Sequence, residues 1–249
     1  MIIFYAGYLT DHKNELKDFW RGFFKPFLFL VPPIAILYFI QNHLSVSLVI
    51  AIITCVMMLM AGCRVLHFMF AGLVGACGVA LYIIKELMTG KGDASSDSFR
   101  MGRIKTFFDP WSDATGIGYQ MVQSLYAIGS GGLFGVGLGN SKQKYLYIPE
   151  PQNDFIFAII AEELGFVGCV LIIALFALFV WRGIVISMKA PDMFGSLLAV
   201  GVTTLVATQA IINIAVVTAS IPTTGMALPF FSYRRNGINN IASISRSVT

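Results

Sequence analysis

Lys, Arg, Asp and Glu are absent from Pro26 to Cys63, a run of 38 residues. One helix of that length would reach about 57 Å, nearly twice the roughly 30 Å hydrocarbon core of a bilayer. The run therefore folds back, and Gln41-Asn42-His43, its one polar cluster, marks the hairpin. This predicts helices over 26–40 and 44–62, with Pro32-Pro33 kinking the first or breaking its hydrogen-bond ladder. Residues 65–84 are charge-free again and predict a third span. A fourth, 155–181, holds Glu162 and Glu163 one or two turns in. Met193–Tyr233 is also charge-free. It divides into a fifth span, 195–218, and a loop carrying Pro222, Thr223, Thr224, Gly225 and Pro229. The opening Met1–Thr10 is apolar but too short to cross, and reads as the tail of a helix. It has neither the basic n-region nor the small-residue cleavage site of a signal peptide.

Between the third and fourth spans lies the one long polar segment, 85–154, with seven basic residues, seven acidic residues and eleven of the 24 glycines. So much glycine with so little periodicity does not suit a soluble domain. It predicts an ordered loop with short helices, partly re-entrant, resting on the bundle. The fold class is all-α: a polytopic transmembrane helix bundle of about five spans with one large outward-facing loop.

Composition agrees. Hydrophobic residues make up 57% and charged residues 12% of the 249, and the mean hydropathy is +0.77. A soluble domain carries about 25% charged residues. A soluble enzyme, a disordered chain and a nucleic-acid-binding module are excluded. The net charge of +4 is too small to coat a surface. Cys55, Cys63, Cys77 and Cys169 all fall in apolar stretches without a C-x-x-C pair, so they read as small hydrophobes. His12, His43 and His67 make no metal pattern.

The short loops set the orientation. Lys13, Lys17, Arg21 and Lys25 precede the first span, Arg64 follows the second, and Arg182 and Lys189 lie between the fourth and fifth. Alternating spans put all of them on one side, which the positive-inside rule makes cytoplasmic. The 85–154 and 219–233 loops then face outward together.

Charged groups at membrane depth are costly and mark function by default. Asp154 sits where the outer loop meets the fourth span. It reads as the N-cap of that helix, and also as a carboxylate able to act as general base or metal ligand. Glu162 and Glu163 point about 100° apart, so at least one faces the bundle interior. The basic set Arg100, Arg103, Lys105, Lys142 and Lys144 is the third candidate. Lys142 and Lys144 follow the run Gly131-Gly-Leu-Phe-Gly-Val-Gly-Leu-Gly139, whose backbone could approach a phosphate closely. The run is not a P-loop, since it lacks Gly-Lys-Ser/Thr at the required spacing, and membrane glycines often serve helix contacts instead. These residues alone leave a transporter and an enzyme acting on a lipid-linked substrate both open.

The order of short motifs narrows the choice. Gly118-Tyr-Gln120, Gln123-Ser124, Gly131-Gly132 and Gly139-x-Ser141-x-Gln143-Lys144 come first, then Pro149-Glu150, Asp154-Phe-Ile-Phe-Ala158 and Glu162-Glu-Leu-Gly165. Arg103-x-x-x-Phe107-x-Asp109-Pro110, Asn213, Pro222-Thr-Thr-Gly225 and Leu228-Pro-Phe-Phe-Ser-Tyr233 complete the set. Across roughly Met1 to Tyr233 the sequence resembles the SEDS family (FtsW, RodA, SpoVE), most of all its division and sporulation branch from Gram-positive bacteria.

The resemblance implies a peptidoglycan glycosyltransferase that polymerises lipid II at the outer face of the cytoplasmic membrane in division, cell shape or sporulation. It implies a class B penicillin-binding transpeptidase and other division or sporulation membrane proteins as partners, with no nucleic acid. The family's essential aspartate matches Asp154. It would deprotonate the acceptor sugar hydroxyl, or orient it through a divalent cation, Mg or Mn, which Asp154 would hold. Arg103, Lys142 and Lys144 would bind the donor pyrophosphate, Gln120 and Glu150 would join the substrate-binding set, and Glu162 and Glu163 would support it. A lipid II flippase is the alternative reading.

The resemblance also implies more spans than the five read here, preceding Met1 and following Tyr233. After Tyr233 the family continues Gly-Gly-Ser/Thr into an apolar helix, whereas residues 234–249 are polar. Codons exist for Arg234 to Ala242 that, read one base later, give Gly-Gly-Thr-Gly-Ser-Ile-Ile-Leu. A frameshift after Tyr233 is therefore expected, and AGG arginine codons at 234 and 235 in the gene would bear it out. CGN codons there would overturn it.

Overall fold

The computed structural model describes residues 1–16, 18–39, 44–70, 72, 107–113, 116, 118–141 and 154–231. Six α-helices organise them: α1 (Ile2–Asp11), α2 (Lys25–Phe39), α3 (Leu44–Met60), α4 (Tyr119–Gly131), α5 (Ile156–Lys189) and α6 (Met193–Val217). There is no strand among the described residues. Three helical stretches are long and apolar enough to cross a membrane: Phe19–Leu37, Ile156–Lys189 and Met193–Val217. The predicted second span is a shorter apolar helix, Ser45–Met60. Most of the predicted third span, 65–84, lies outside the described residues, although 65–70 are helical.

The first span starts earlier than the sequence suggests. A π-helix, Phe19–Phe24, runs into α2, so Arg21 and Lys25 are helical and not part of a loop. Pro32 and Pro33 sit inside α2, which runs on past both. Each removes one ladder bond, but in lipid no water rewards a further opening. At the other end of the chain α5 runs to Lys189, eight residues beyond the predicted stop. Arg182 therefore lies within α5 and not in the connection, where the long Arg side chain can reach the interface. No Gly or Pro interrupts the helix between Gly183 and Pro191. The connection shrinks to three residues, and Asp192 caps α6 by accepting a hydrogen bond from the Gly195 amide at 2.8 Å.

The core is drawn from α1, α3, α5 and α6, with Tyr5, Leu9, Met57, Leu197 and Val217 all buried. Tyr5 donates its hydroxyl to the Pro26 carbonyl at 2.8 Å, so the polar tip of a fully buried ring is satisfied where water is absent. Met1–Thr10, read as a helix tail, is α1, and it packs against α6 and α3.

Two sets of contacts fix the ends of the bundle. At one end the Cys63 thiol lies 3.4 Å from the Gly22 carbonyl, which brings the start of the first span to the end of α3. Burial pushes that thiol up to about 11, which keeps it protonated and unreactive at neutral pH, as a small hydrophobe should be. At the opposite end Ser45, at the start of α3, donates its hydroxyl to the Thr224 carbonyl at 3.0 Å. Arg21, Lys25, Arg64 and Lys189 thus share the first end, while the start of α5 and the end of α6 share the second.

Candidate active site

The second end is built around Asp154. Asn213 lies in the last two turns of α6 and is only 1% exposed. Its Nδ2 donates to the Asp154 carbonyl at 2.8 Å and to the Met226 carbonyl at 2.6 Å. One side chain thereby ties the entrance of α5 to the 222–228 loop. The Asp154 side chain is half-buried, and its Oδ2 lies close to Gly225, where an added Cβ would stand 3.5 Å away. A Cβ there would make only ordinary contact with the carboxylate, and it is the positive φ of Gly225 (64°) that disfavours a larger residue.

The N-cap reading of Asp154 is corrected. The cap position of α5 is Phe155, which makes no side-chain capping bond. Asp154 stands one residue further out, so its backbone serves the Asn213 tie and its carboxylate is turned toward the loop.

The second cluster lies one to two turns into α5. Glu162 is 2% exposed, and Ser141 donates its hydroxyl to Glu162 Oε2 at 2.5 Å. Glu163 is half-buried, and its Oε1 has no hydrogen-bond partner among the described residues. The expected divergence of the two carboxylates holds, with Glu162 turned inward.

Beside them α5 is broken. Gly165 has φ 67° and ψ −166°, so the amides of Phe166 and Val167 cannot reach the carbonyls of Glu162 and Glu163 four residues back. They donate instead to Gly132 (2.9 Å) and Leu133 (3.2 Å). The freed carbonyls of Glu162 and Glu163 accept from Val136 (2.9 Å) and Gly137 (3.1 Å). Two helical bonds are exchanged for four bonds across to the glycine-rich run. This corrects the phosphate-cradle reading of that run. The amides of 135, 136 and 137 are already spent on the carbonyls of Gly131, Glu162 and Glu163. The glycines permit close backbone contact, as membrane glycines do elsewhere.

Of the other expected site residues, Gln120 lies in the first turn of α4, half-buried. Arg100, Arg103, Lys105, Lys142, Lys144 and Glu150 lie outside the described residues. Among the described residues no group of three or more His, Cys, Asp or Glu comes together. The sequence reading assigned no role to Asn213 or Ser141. Asn213 was detectable in principle: it is one of two amide side chains in the apolar α6, with Gln209 one turn before it, and polar groups at membrane depth are functional hypotheses by default.

Fold and site together define a polytopic membrane protein with an acidic site at one end of a helix bundle. The family described as "Cell cycle protein" (FtsW/RodA/SpoVE) matches residues 1–237. Stage V sporulation protein E of Bacillus subtilis is 45% identical over 233 residues, 94% of this chain and 60% of that protein. A probable peptidoglycan glycosyltransferase FtsW of Geobacter sp. (strain M18) is 40% identical, again over 94% of this chain and 60% of the relative. Among solved structures, a peptidoglycan synthase complex that couples polymerization and crosslinking matches with TM-score 0.65 at 24% identity. That match covers 90% of this chain and 59% of the other. A mutant of the rod shape determining protein RodA from Thermus thermophilus matches with TM-score 0.54 at 22% identity, over 92% and 57%. At these identities the structural matches speak for the fold. The chain belongs to the FtsW/RodA/SpoVE family and is a multi-pass protein of the cytoplasmic membrane. It spans about 60% of the length of the relatives it matches.

Proposed function

We propose that this chain carries the catalytic face of a peptidoglycan glycosyltransferase that polymerises lipid II in cell division, cell shape or sporulation. Lipid II is the undecaprenyl-pyrophosphate-linked disaccharide-pentapeptide. The observation that carries the reading is Asp154: a carboxylate at the bundle mouth, its backbone tied by Asn213 and its Oδ2 beside Gly225. The basic residues Arg21, Lys25, Arg64 and Lys189 lie at the opposite end. The positive-inside rule makes that end cytoplasmic, so Asp154 and the 85–154 loop face outward, where the lipid-linked sugars are.

In this reading Asp154 takes the proton from the acceptor sugar hydroxyl as its oxygen attacks the donor's anomeric carbon. A new C–O bond forms while the bond from that carbon to the pyrophosphate oxygen breaks. The departing undecaprenyl pyrophosphate carries the electron pair. Arg103, Lys142 and Lys144 stabilise that developing charge, Arg through a planar fork and Lys as a point charge. Gln120 and Glu150 belong to the substrate-binding set. Glu162 and Glu163 support it from below, with Glu162 held by Ser141.

Mg or Mn suits the oxygen-only chemistry of a carboxylate site. Asp154 would be its protein ligand, with substrate phosphate or water completing the shell, since the described residues gather no acidic cluster. The ion would polarise the acceptor hydroxyl. A class B penicillin-binding transpeptidase is the expected partner, alongside other division or sporulation membrane proteins.

The test separates this reading from a lipid II flippase. The chain, and the same chain continued in the frame expected after Tyr233, are mixed with lipid II and a transpeptidase partner in detergent. Glycan polymer made with no membrane barrier present is the expected result, and chelation of divalent ions should suppress it. Transfer of lipid II across vesicles with no polymer under any partner condition would favour the flippase.

A further inference from the structure

We infer that the glycine-rich run Gly131–Gly139 is a membrane anchor, which seats its apolar side chains in the lipid leaflet opposite Arg182 and Lys189. Leu133, Phe134 and Leu138 are 65%, 82% and 76% exposed. Side chains of this size left open in water would form a costly patch, whereas in lipid they are at home. Three observations say which environment applies.

The first is depth. The run is hydrogen-bonded to α5 at Glu162–Val167. Gly165 lies 17 residues before Arg182, or about 26 Å along the helix. With Arg182 at one interface, that places the run at the far edge of the roughly 30 Å hydrocarbon core. The second is continuity. Phe166, Val167, Val170 and Leu171 are exposed on α5 beside the run, so its apolar tips extend a face that already meets lipid. The third is polarity. No Lys, Arg, Asp or Glu occurs from Ala114 to Ser141. Irregular backbone is tolerated at this depth only if its polar groups are satisfied by protein. The crossed bonds to the broken turn of α5 do this for the amides of 136 and 137 and the carbonyls of 132 and 133, and a bond within the run joins the Gly135 amide to the Gly131 carbonyl.

The consequence is a fixed seat for α4, the helix that ends at Gly131, on the plane of the membrane surface. Ser124 of α4 donates to the Val217 carbonyl at 3.0 Å, so the same helix also rests on the end of α6.

The experiment places a nitroxide label at Phe134→Cys in the full chain, with Cys55, Cys63, Cys77 and Cys169 replaced by Ala, in nanodiscs of phosphatidylethanolamine and phosphatidylglycerol. Collisions with oxygen are compared with collisions with a water-soluble nickel chelate. Leu175→Cys on the exposed face of α5 is the lipid reference, and Asn14→Cys, exposed at the basic end, is the water reference. Oxygen is expected to exceed nickel several-fold at 134, as at 175. Nickel dominance as at 14, or little collision with either reagent, would overturn the proposal. If the cysteine-free chain does not fold, Phe134→p-benzoylphenylalanine in the unmodified chain replaces it. Photolysis products carrying lipid acyl chains support the anchor, and products on protein alone, or none, overturn it.

Discussion

Asp154→Asn should lower polymer formation from lipid II by about 10²–10⁴-fold, the range a positioned general base contributes. The swap keeps the shape of the side chain and leaves intact the backbone carbonyl that accepts from Asn213. The cap position of α5 belongs to Phe155, which the swap leaves in place, and Asn can accept hydrogen bonds much as Asp does. What disappears is the negative charge and the ability to take a proton or hold a hard cation. Yield in membranes and thermal unfolding should therefore match the unsubstituted chain, while turnover falls and substrate binding changes little. Asp192→Asn is the control. It makes the same chemical change at the other end of the bundle, where Asp192 caps α6, and Asn and Asp cap about equally well. Its activity should be retained. Near-normal turnover in Asp154→Asn, measured as glycan chains per unit time with saturating lipid II, would remove Asp154 from the chemistry. The base would then be sought at Glu162 or Glu163.

The second large effect is on stability, at Gly135. Its φ is 77°, in the left-handed region, and a Cβ added there would collide with the carbonyl of Glu163. Gly135→Ala carries roughly 1–2 kcal/mol of backbone strain. It also pushes the run off α5, where each crossed hydrogen bond contributes about 1 kcal/mol. With all four crossed bonds lost the sum is about 5–6 kcal/mol, a large share of the 5–15 kcal/mol typical of a whole domain. The expected outcome is a markedly lower unfolding temperature in detergent and reduced accumulation in membranes. Gly129→Ala, six residues earlier on α4, meets nothing within 4 Å and should be neutral or slightly stabilising. Equal stability for Gly135→Ala and Gly129→Ala would mean that the crossed contact adds nothing to the fold.

The second prediction turns on a helix interrupted at Gly165 and repaired by a distant segment. The sequence marks this region through Glu162-Glu-Leu-Gly165 and the Gly131–Gly139 run, but each admits a blander local reading. A glycine inside an apolar helix is often a packing contact, and a glycine-rich run beside lysines resembles a phosphate loop. Pairing the two requires bringing residues about 30 apart into register, which no periodicity encodes.

What the chain determines by itself is the membrane architecture. Charge-free runs too long for one helix must fold back, and basic residues in short loops must gather on one side, because the cost of burying charge in hydrocarbon is local and roughly additive. Hence the positions of α2, α3, α5 and α6, and of Asp154 between outer loop and bundle, are legible residue by residue. The boundaries were less so: Arg182 was placed in a loop because it is charged, although nothing in the adjacent backbone ends the helix before Pro191. Only the tertiary structure decided that Asn213 joins Asp154 to Met226, that Gly225 lies beside the carboxylate, and that the amides of 136 and 137 serve α5. These are contacts between segments far apart in the chain. Their partners are chosen by which backbone groups remain unsatisfied once the helices have packed, and that is a property of the assembled bundle.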